Sequence, residues 1–482
     1  MEGGGAYADS RSAHGVRFGA CLDPRTCVRQ YVLGNPGVSG RRGRAMLSKT
    51  TYGKYLALLR EELVPATGCT EPIAVAYAAA KAREVLGRMP EHLAVACSAN
   101  IIKNVKGVTV PNTGGLRGIG AAATAGVVGG VADAKLEVLQ SLTPGDIERT
   151  KRLLDGSFCS TRLVEGVEGI YIEVAATAGD SSARVIIEKT HTGITLIEKD
   201  GKTLLDVRAG NAGSSLSSPG RHQSRDASNP ASGLKVREIL EFATTVRVED
   251  VAEIIRRQIN LNTAIADEGL KNDYGMSVGK SLLRGEVEDV RVRARARAAA
   301  GSDARMGGCA MPVVINSGSG NQGLTVSVPV IEYAKELGVG EERLIRALVL
   351  SNLVSLEQKS YIGKLSAYCG AVSAAVGSAA GIAYLQGGTY EQIAASITNT
   401  IVTVDGMVCD GAKASCAAKI ATALEAAIMG QEMGMRDGGK AFPRGEGLVG
   451  KDVDDTIRNI GIVGAKGMRQ TDVEIINLML KE

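Results

Sequence analysis

The chain has 482 residues, 44% of them apolar but with no tryptophan and only 4 phenylalanines, so a large core must come from Ala, Val, Ile and Leu packed at short range. Its formal net charge is +4, and residues 1–46 hold seven arginines against Glu2, Asp9 and Asp23, which leaves the remainder neutral. A neutral body excludes nucleic acid or an anionic membrane as a partner held by charge, and nine cysteines at irregular spacing without a CxxC pair exclude a disulfide framework.

A reducing, cytoplasmic setting is therefore expected. Residues 1–45 have neither the apolar run of a secretory signal nor an amphipathic period, and are expected to be a disordered extension ahead of a folded part spanning 46–482. The stretch "TYGKYLALLREELVPATGCTEPIAVAYAAAKAREVLG" (51–87) predicts a helix, a break at Pro65 to Gly68, and a second helix with Pro72 in its first turn. Cys69 falls in that break. "LAVACSAN" predicts a strand, and "VKGVTVPNTGGLRGIGAAATAGVVGG" a loop running into a small-residue helix. From 160 to 208, β-branched runs separated by Gly, Asp and Ser predict an antiparallel meander, giving a β lobe over about 93–208.

Residues 210–233 are Ser, Gly, Asn and Pro with almost nothing to bury, the composition of a flexible insert. The part from 234 to 482 reads as helices apart from "CAMPVVINSGSGNQG". The expected fold is α+β, a mainly helical core with a smaller antiparallel β lobe. Within the helical part, "VRVRARARAAA" (290–300) has no aromatics between its arginines and reads as a solvated face. "CGAVSAAVGSAAGIAYL" (369–385) is too poor in large aliphatics for a membrane span and reads as a buried seam that lets neighbouring helices approach closely.

Four stretches combine cysteine, polar side chains and glycine beyond what packing requires: "PATGCTEP", "SDARMGGCAMPVVINSGSGNQG", "SAYCGA" and "MVCDGAKASCAAKI". In the second, Asn316, Ser317, Ser319, Asn321 and Gln322 offer hydroxyl and amide groups while Gly318, Gly320 and Gly323 leave backbone N–H groups open, an anion-binding concavity for a carboxylate or a phosphate. Neither Walker A nor GxGxxG spacing is present. Cys69, Cys369 and Cys409 each lie beside a glycine or at a helix terminus, where N–H groups stabilise a thiolate, and three thiolates can hold a metal. Cys97, Cys159, Cys309 and Cys416 fit packed thiols. Spacing alone does not choose a metal. His191, in "EKTHTGIT", is a candidate acid or base, and Lys413, in "DGAKAS", is either a Schiff-base lysine or one that pairs with Asp410.

Together "ATGCTEP", "SDARMGGC", "NSGSGNQG" and "CDGAKASC" make residues 46–482, outside the insert, resemble the iron-sulfur L-serine dehydratase alpha-chain-like family and, within it, the L-cysteine desulfidase branch. The resemblance implies a lyase independent of pyridoxal, with a 4Fe-4S cluster on Cys69, Cys369 and Cys409 and with Cys416 in reserve as third ligand. It also implies that an open iron binds substrate, a base takes the α-proton of L-cysteine, and sulfide, ammonia and pyruvate result; L-serine would lose water the same way. On this reading the loop 316–321 and Arg305 grip the carboxylate, Asn112 and Thr113 orient the amino group, and Lys413, His191 and Glu71 are the candidate bases. A non-catalytic iron-sulfur sensor is the alternative, which would have no need of the polar loop. The expected partners are a small amino acid and further copies of the chain, with no nucleic acid and no membrane.

Overall fold

In the computed structural model the described residues are 47–167, 169–208, 233–285 and 289–481. The 1–45 extension and the insert up to residue 232 lie outside them. Helix α1 (Lys49–Glu62) begins where the Ser48 hydroxyl accepts from the Thr51 amide, and strand β1 (Pro65–Thr67) follows at the predicted break. Helix α2 (Thr70–Leu86) is almost wholly buried and stops at Gly87, whose φ of 80° is left-handed. It packs on α4 (Gly118–Gly129) and on one face of a six-stranded sheet.

That sheet has the order β3-β2-β4-β5-β6-β7. Strands β4 (Tyr171–Ala178), β5 (Ser181–Glu188), β6 (Ile194–Lys199) and β7 (Lys202–Asp206) form the antiparallel meander. One pair departs from the antiparallel expectation: β2 (His92–Ser98) runs parallel to β3 (Cys159–Val164). Parallel neighbours need a crossover, and here α3 (Ala99–Lys106), α4 and α5 (Pro144–Asp155) supply it, so the lobe is a mixed sheet with its own helices.

The remainder is helical: α6 (Val236–Thr245), α7 (Val248–Lys271), α8 (Val278–Leu282), α9 (Val290–Met306), α10 (Gly320–Glu336), α11 (Glu341–Ile362), α12 (Gly370–Leu385), α13 (Tyr390–Val404), α14 (Cys416–Gly434), α15 (Val453–Ile462) and α16 (Arg469–Leu480). The exception is β8 (Pro312–Val314), which pairs antiparallel with β1. In α12 every residue except Gly370 and Tyr384 is buried, and the helix packs against α10, α11, α13 and α14. Its Ala, Gly and Ser side chains bury little area each, but they let four neighbours approach closely enough for dispersion contacts to accumulate. Among the described residues no helix is long and apolar enough to cross a membrane. The arginine alternation lies on α9, where Arg291, Arg293, Arg295 and Arg297 are ion-paired with Asp289, Glu332, Glu425 and Asp267.

Candidate active site

The two-stranded ribbon brings two of the cysteine- and glycine-rich stretches together. Pairing of Pro65 with Val314 and Thr67 with Pro312 lays the two stretches side by side in antiparallel register. The Asn262 amide on α7 fixes that ribbon from behind by accepting from the Val314 amide at 2.8 Å and donating to the Gly323 carbonyl at 3.1 Å. Past the ribbon, the Thr70 hydroxyl donates to the Gly318 carbonyl at 2.8 Å. The loop turns through Ser317 and Gly318 at φ of 48° and 75°, and Ser319 then caps α10. A Cβ at Gly318 would stand 3.0 Å from the His191 ring, and one at Gly320 would stand 2.3 Å from Arg305 Nε. Glycine is thus required for the close approach of both side chains.

Glu71, in the first turn of α2, is the electrostatic centre of this wall. Its Oε2 accepts from the Cys69 thiol at 2.9 Å and lies 3.1 Å from the Thr70 hydroxyl oxygen, and its Oε1 accepts from Asn104 at 3.0 Å. His191 Nε2 lies 3.8 Å from Oε1, an ion-pair distance without a hydrogen bond. Burial works against ionisation of Glu71, but His191 and the Cys69 thiol outweigh it and hold the carboxyl down to about 2. The Cys69 thiol is pushed the other way, well up, by burial and by the Glu71 charge.

Four thiols line one cavity of about 90 Å³: Cys69, Cys369, Cys409 and Cys416. Cys69 and Cys369 precede the first turns of α2 and α12, and Cys416 opens α14, so three of the four stand at helix N-termini. The loops carrying Cys369 and Cys409 bond to each other, Cys369 N to the Met407 carbonyl at 2.9 Å and Cys409 N to the Ala367 carbonyl at 2.7 Å. The two thiols share a hydrogen: the Cys369 thiol beside it lowers Cys409, aided by Lys103, while Cys409 and burial raise Cys369. Cys416 is raised by burial. Among the described residues no three His, Cys, Asp or Glu side chains are close enough to share a single metal ion.

Two cations project into the cavity without a carboxylate in contact. Arg305, 2% exposed, donates to Asn321 at 2.9 Å, and its Nε has no partner. Lys359, on α11, donates only to the Lys364 carbonyl at 3.3 Å, and burial lowers it to about 8. Gln322 Oε1, Tyr368 OH and His191 Nε2 are likewise buried at the cavity without a hydrogen bond. Such atoms are expensive to bury, and four of them, counting Arg305 Nε, line this one cavity.

Of the residues singled out in the sequence, Cys69, Cys369, Cys409, Glu71, His191, Arg305, Ser317, Gly318, Ser319 and Asn321 share this cavity. Asn316 lies behind it, bonded to Asn352 and Ser355. Asn112 donates to the Leu139 and Gln140 carbonyls, Thr113 to the Val110 carbonyl, and Lys413 pairs with Asp410; none of the three lines the cavity. Cys97, Cys159 and Cys309 stand apart from it, whereas Cys416, read as a packed thiol, lies in it. Gln322, read from the sequence as part of the anion-binding loop, lines the cavity, whereas the sequence reading does not reach Lys359 and Asn104. The signal for Lys359 was a lysine inside the apolar helical run 345–362, ten residues before Cys369.

A mainly helical α+β fold around a cavity of thiols, a carboxylate and a buried arginine defines the class. Residues 133–477 match the model of the serine dehydratase alpha chain family, and the chain belongs to that family. Among its relatives is a protein of Lachnoclostridium phytofermentans, 51% identical over 89% of this chain and 100% of its own length. Others come from Desulfitobacterium hafniense, at 49% over 89% and 97%, and Treponema denticola, at 45% over 90% and 100%. All three bear only the name UPF0597 protein.

Proposed function

We propose that the chain is an L-cysteine desulfidase acting by β-elimination, with a 4Fe-4S cluster in the four-thiol cavity. The observation that carries the reading is the meeting of Cys69, Cys369, Cys409 and Cys416 with Arg305 and Glu71 around one space. Thiolates are the donors iron-sulfur clusters take, and the unpartnered Arg305 Nε, Gln322 Oε1 and His191 Nε2 supply polar contacts for a bound amino acid, so the residues fit the group. When bound, a cluster held by three thiolates supplies an iron with an open position, a Lewis acid for the substrate.

Cys369 and Cys409 are two of the three ligands. For the third, Cys69 and Cys416 both stand at helix N-termini but differ in their acceptors: the Cys69 thiol donates to the Glu71 carboxylate, which disfavours its thiolate, whereas the Cys416 thiol donates to the neutral Gly411 carbonyl at 3.8 Å. This favours Cys416 as ligand and leaves Cys69 with Glu71 and His191 as the proton-handling group. Arg305 and the N–H groups of loop 317–320 hold the substrate carboxylate. The α-proton passes to the Cys69–Glu71–His191 group, the Cβ–S bond breaks to release sulfide, and the resulting aminoacrylate takes up water to give pyruvate and ammonia. Lys413, tied to Asp410 outside the cavity, is not the base on this reading.

L-serine would lose its hydroxyl by the same sequence, and the family match supports that second substrate. The test is an anaerobic assay of pyruvate and sulfide from L-cysteine beside pyruvate from L-serine. Iron-loaded protein that forms pyruvate from neither amino acid would leave the sensor reading in its place.

A further inference from the structure

The C-terminal segment makes two contacts that the reaction does not call for. Asp472 on α16 ion-pairs with Lys103 of α3, whose side chain is 1% exposed. The same Lys103 Nζ donates to the Cys409 carbonyl at 3.4 Å. The loop after Cys409 also lies on the Lys103 backbone: a Cβ at Gly411 would stand 2.4 Å from the Lys103 carbonyl oxygen. On the other side, the Ser366 hydroxyl donates to the Gly464 carbonyl at 2.7 Å and accepts from the Tyr368 amide at 3.0 Å, which fixes the loop running into Cys369. The two loops are joined to each other through Cys369 N and Cys409 N. An outer cleft of about 790 Å³ shares Lys364, Leu365 and Ser366 with the thiol cavity and has Asp472 in its wall.

We propose that the segment 464–480 is a brace for the Cys369–Cys409 pair, and that Asp472, acting through Lys103, is a positioning residue for the Cys409 loop. The inference rests on the reading of these thiols as ligands, and it extends that reading to a helix that contributes no group to the reaction. The physical ground is the cost of a buried lysine. Among the described residues no other acid contacts Lys103, so loss of Asp472 leaves its charge uncompensated and drives the side chain toward water, away from the Cys409 carbonyl. The loop then loses its anchor while the helices on either side keep their own packing.

The experiment is amide hydrogen exchange on the full chain, metal-free and iron-loaded, for Asp472→Asn and Asp472→Glu, with Lys106→Ala as control. Lys106 donates to the Met479 carbonyl at the surface, a tie of the same helix that does not run through Lys103. Asp472→Asn is expected to speed exchange in 405–412 and at 367–369 by about tenfold or more, with segment 373–385 unchanged, while Asp472→Glu and Lys106→Ala stay near wild type. In iron-loaded protein kcat should fall with little change in KM. Unchanged exchange in 405–412, or an equal rise across 373–385, overturns the proposal, the second because it shows a general loss of stability. If Asp472→Asn does not fold, Ser366→Ala breaks the other tie and must raise exchange at 366–369, or the brace is refuted. A wild-type chain that takes up no iron would instead refute the cluster reading, and the metal-free exchange would still decide the brace.

Discussion

The outer face of the sheet and the wall of the cavity are both rich in charge, but they treat it differently. On the sheet, Arg184 sits between Glu173 at 3.2 Å and Glu198 at 3.1 Å, and the Tyr171 hydroxyl donates to Glu173 at 2.7 Å. Each group there has its partner within the protein. In the cavity, Arg305 Nε, His191 Nε2, Gln322 Oε1 and Tyr368 OH are buried with none. A satisfied network stabilises the sheet, whereas the unpartnered atoms of the cavity remain open to a ligand.

The largest test of this contrast lies among the cysteines. Ser in place of Cys369, Cys409 or Cys416 exchanges a soft donor for a hard one, and iron per chain and activity should be lost together. Cys69→Ser should keep its iron and lose about 10²–10⁴-fold in kcat, as expected for a proton-handling group. Cys97, fully buried in β2, should cost only about 1–3 kcal/mol of stability as Ser. Iron and acid-labile sulfide under anaerobic conditions separate the three classes, and loss of iron from Cys69→Ser would restore Cys69 as the third ligand.

Next comes Arg305. Lysine there keeps the charge but loses the planar fork, so KM for the amino acid should rise about 10- to 100-fold with stability little changed. An unchanged KM would place the carboxylate elsewhere, with Lys359 the first alternative.

Asp303 is intermediate between the two regions. Its Oδ2 accepts from the Gly279 amide at 3.0 Å, its Oδ1 has no partner, and burial raises the carboxyl from 3.8 to about 6. A raised folded value means the native state holds the proton more tightly. The stability this contributes is present below pH 3.8 and is lost as pH rises through 6, roughly 2–3 kcal/mol in all. Denaturant melts at pH 4 and pH 6.5 should show that slope in the wild type and not in Asp303→Asn. The smallest effect belongs to the sheet: Arg184→Ala should cost at most about 1 kcal/mol, since its side chain is 39% exposed, and leave turnover unchanged.

How far the sequence carries this picture depends on the kind of signal. Cysteine beside glycine in four stretches was enough to pick out Cys69, Cys369 and Cys409, because thiols and unshielded backbone are local features. The helical seam 369–385 and the β4–β7 meander were legible for the same reason, each being written in its own period. The parallel β2–β3 pair was not, since strand direction is decided by a crossover of some sixty residues rather than by the strands. Asn112 and Thr113 looked like ligands because "PNTGG" is polar and flexible, yet their side chains close a local turn and hold the chain near Leu139. Lys359 went unseen because nothing within α11 marks which face meets a cavity formed by other helices.

The ribbon of β1 and β8 carries a consequence for the order in which the protein comes into being. The hydrogen bond from Thr70 to Gly318 joins residues 248 apart. Closing so long a loop is slow, and during synthesis its far half does not yet exist when Cys69 leaves the ribosome. Until β8 arrives, β1 has an open edge and the Cys69 thiol lacks the wall that buries it. Assembly of the site is therefore a late event in the life of the nascent chain. Any ligand of the cavity has to wait for it, and oxidants reach Cys69 most easily in the interval before.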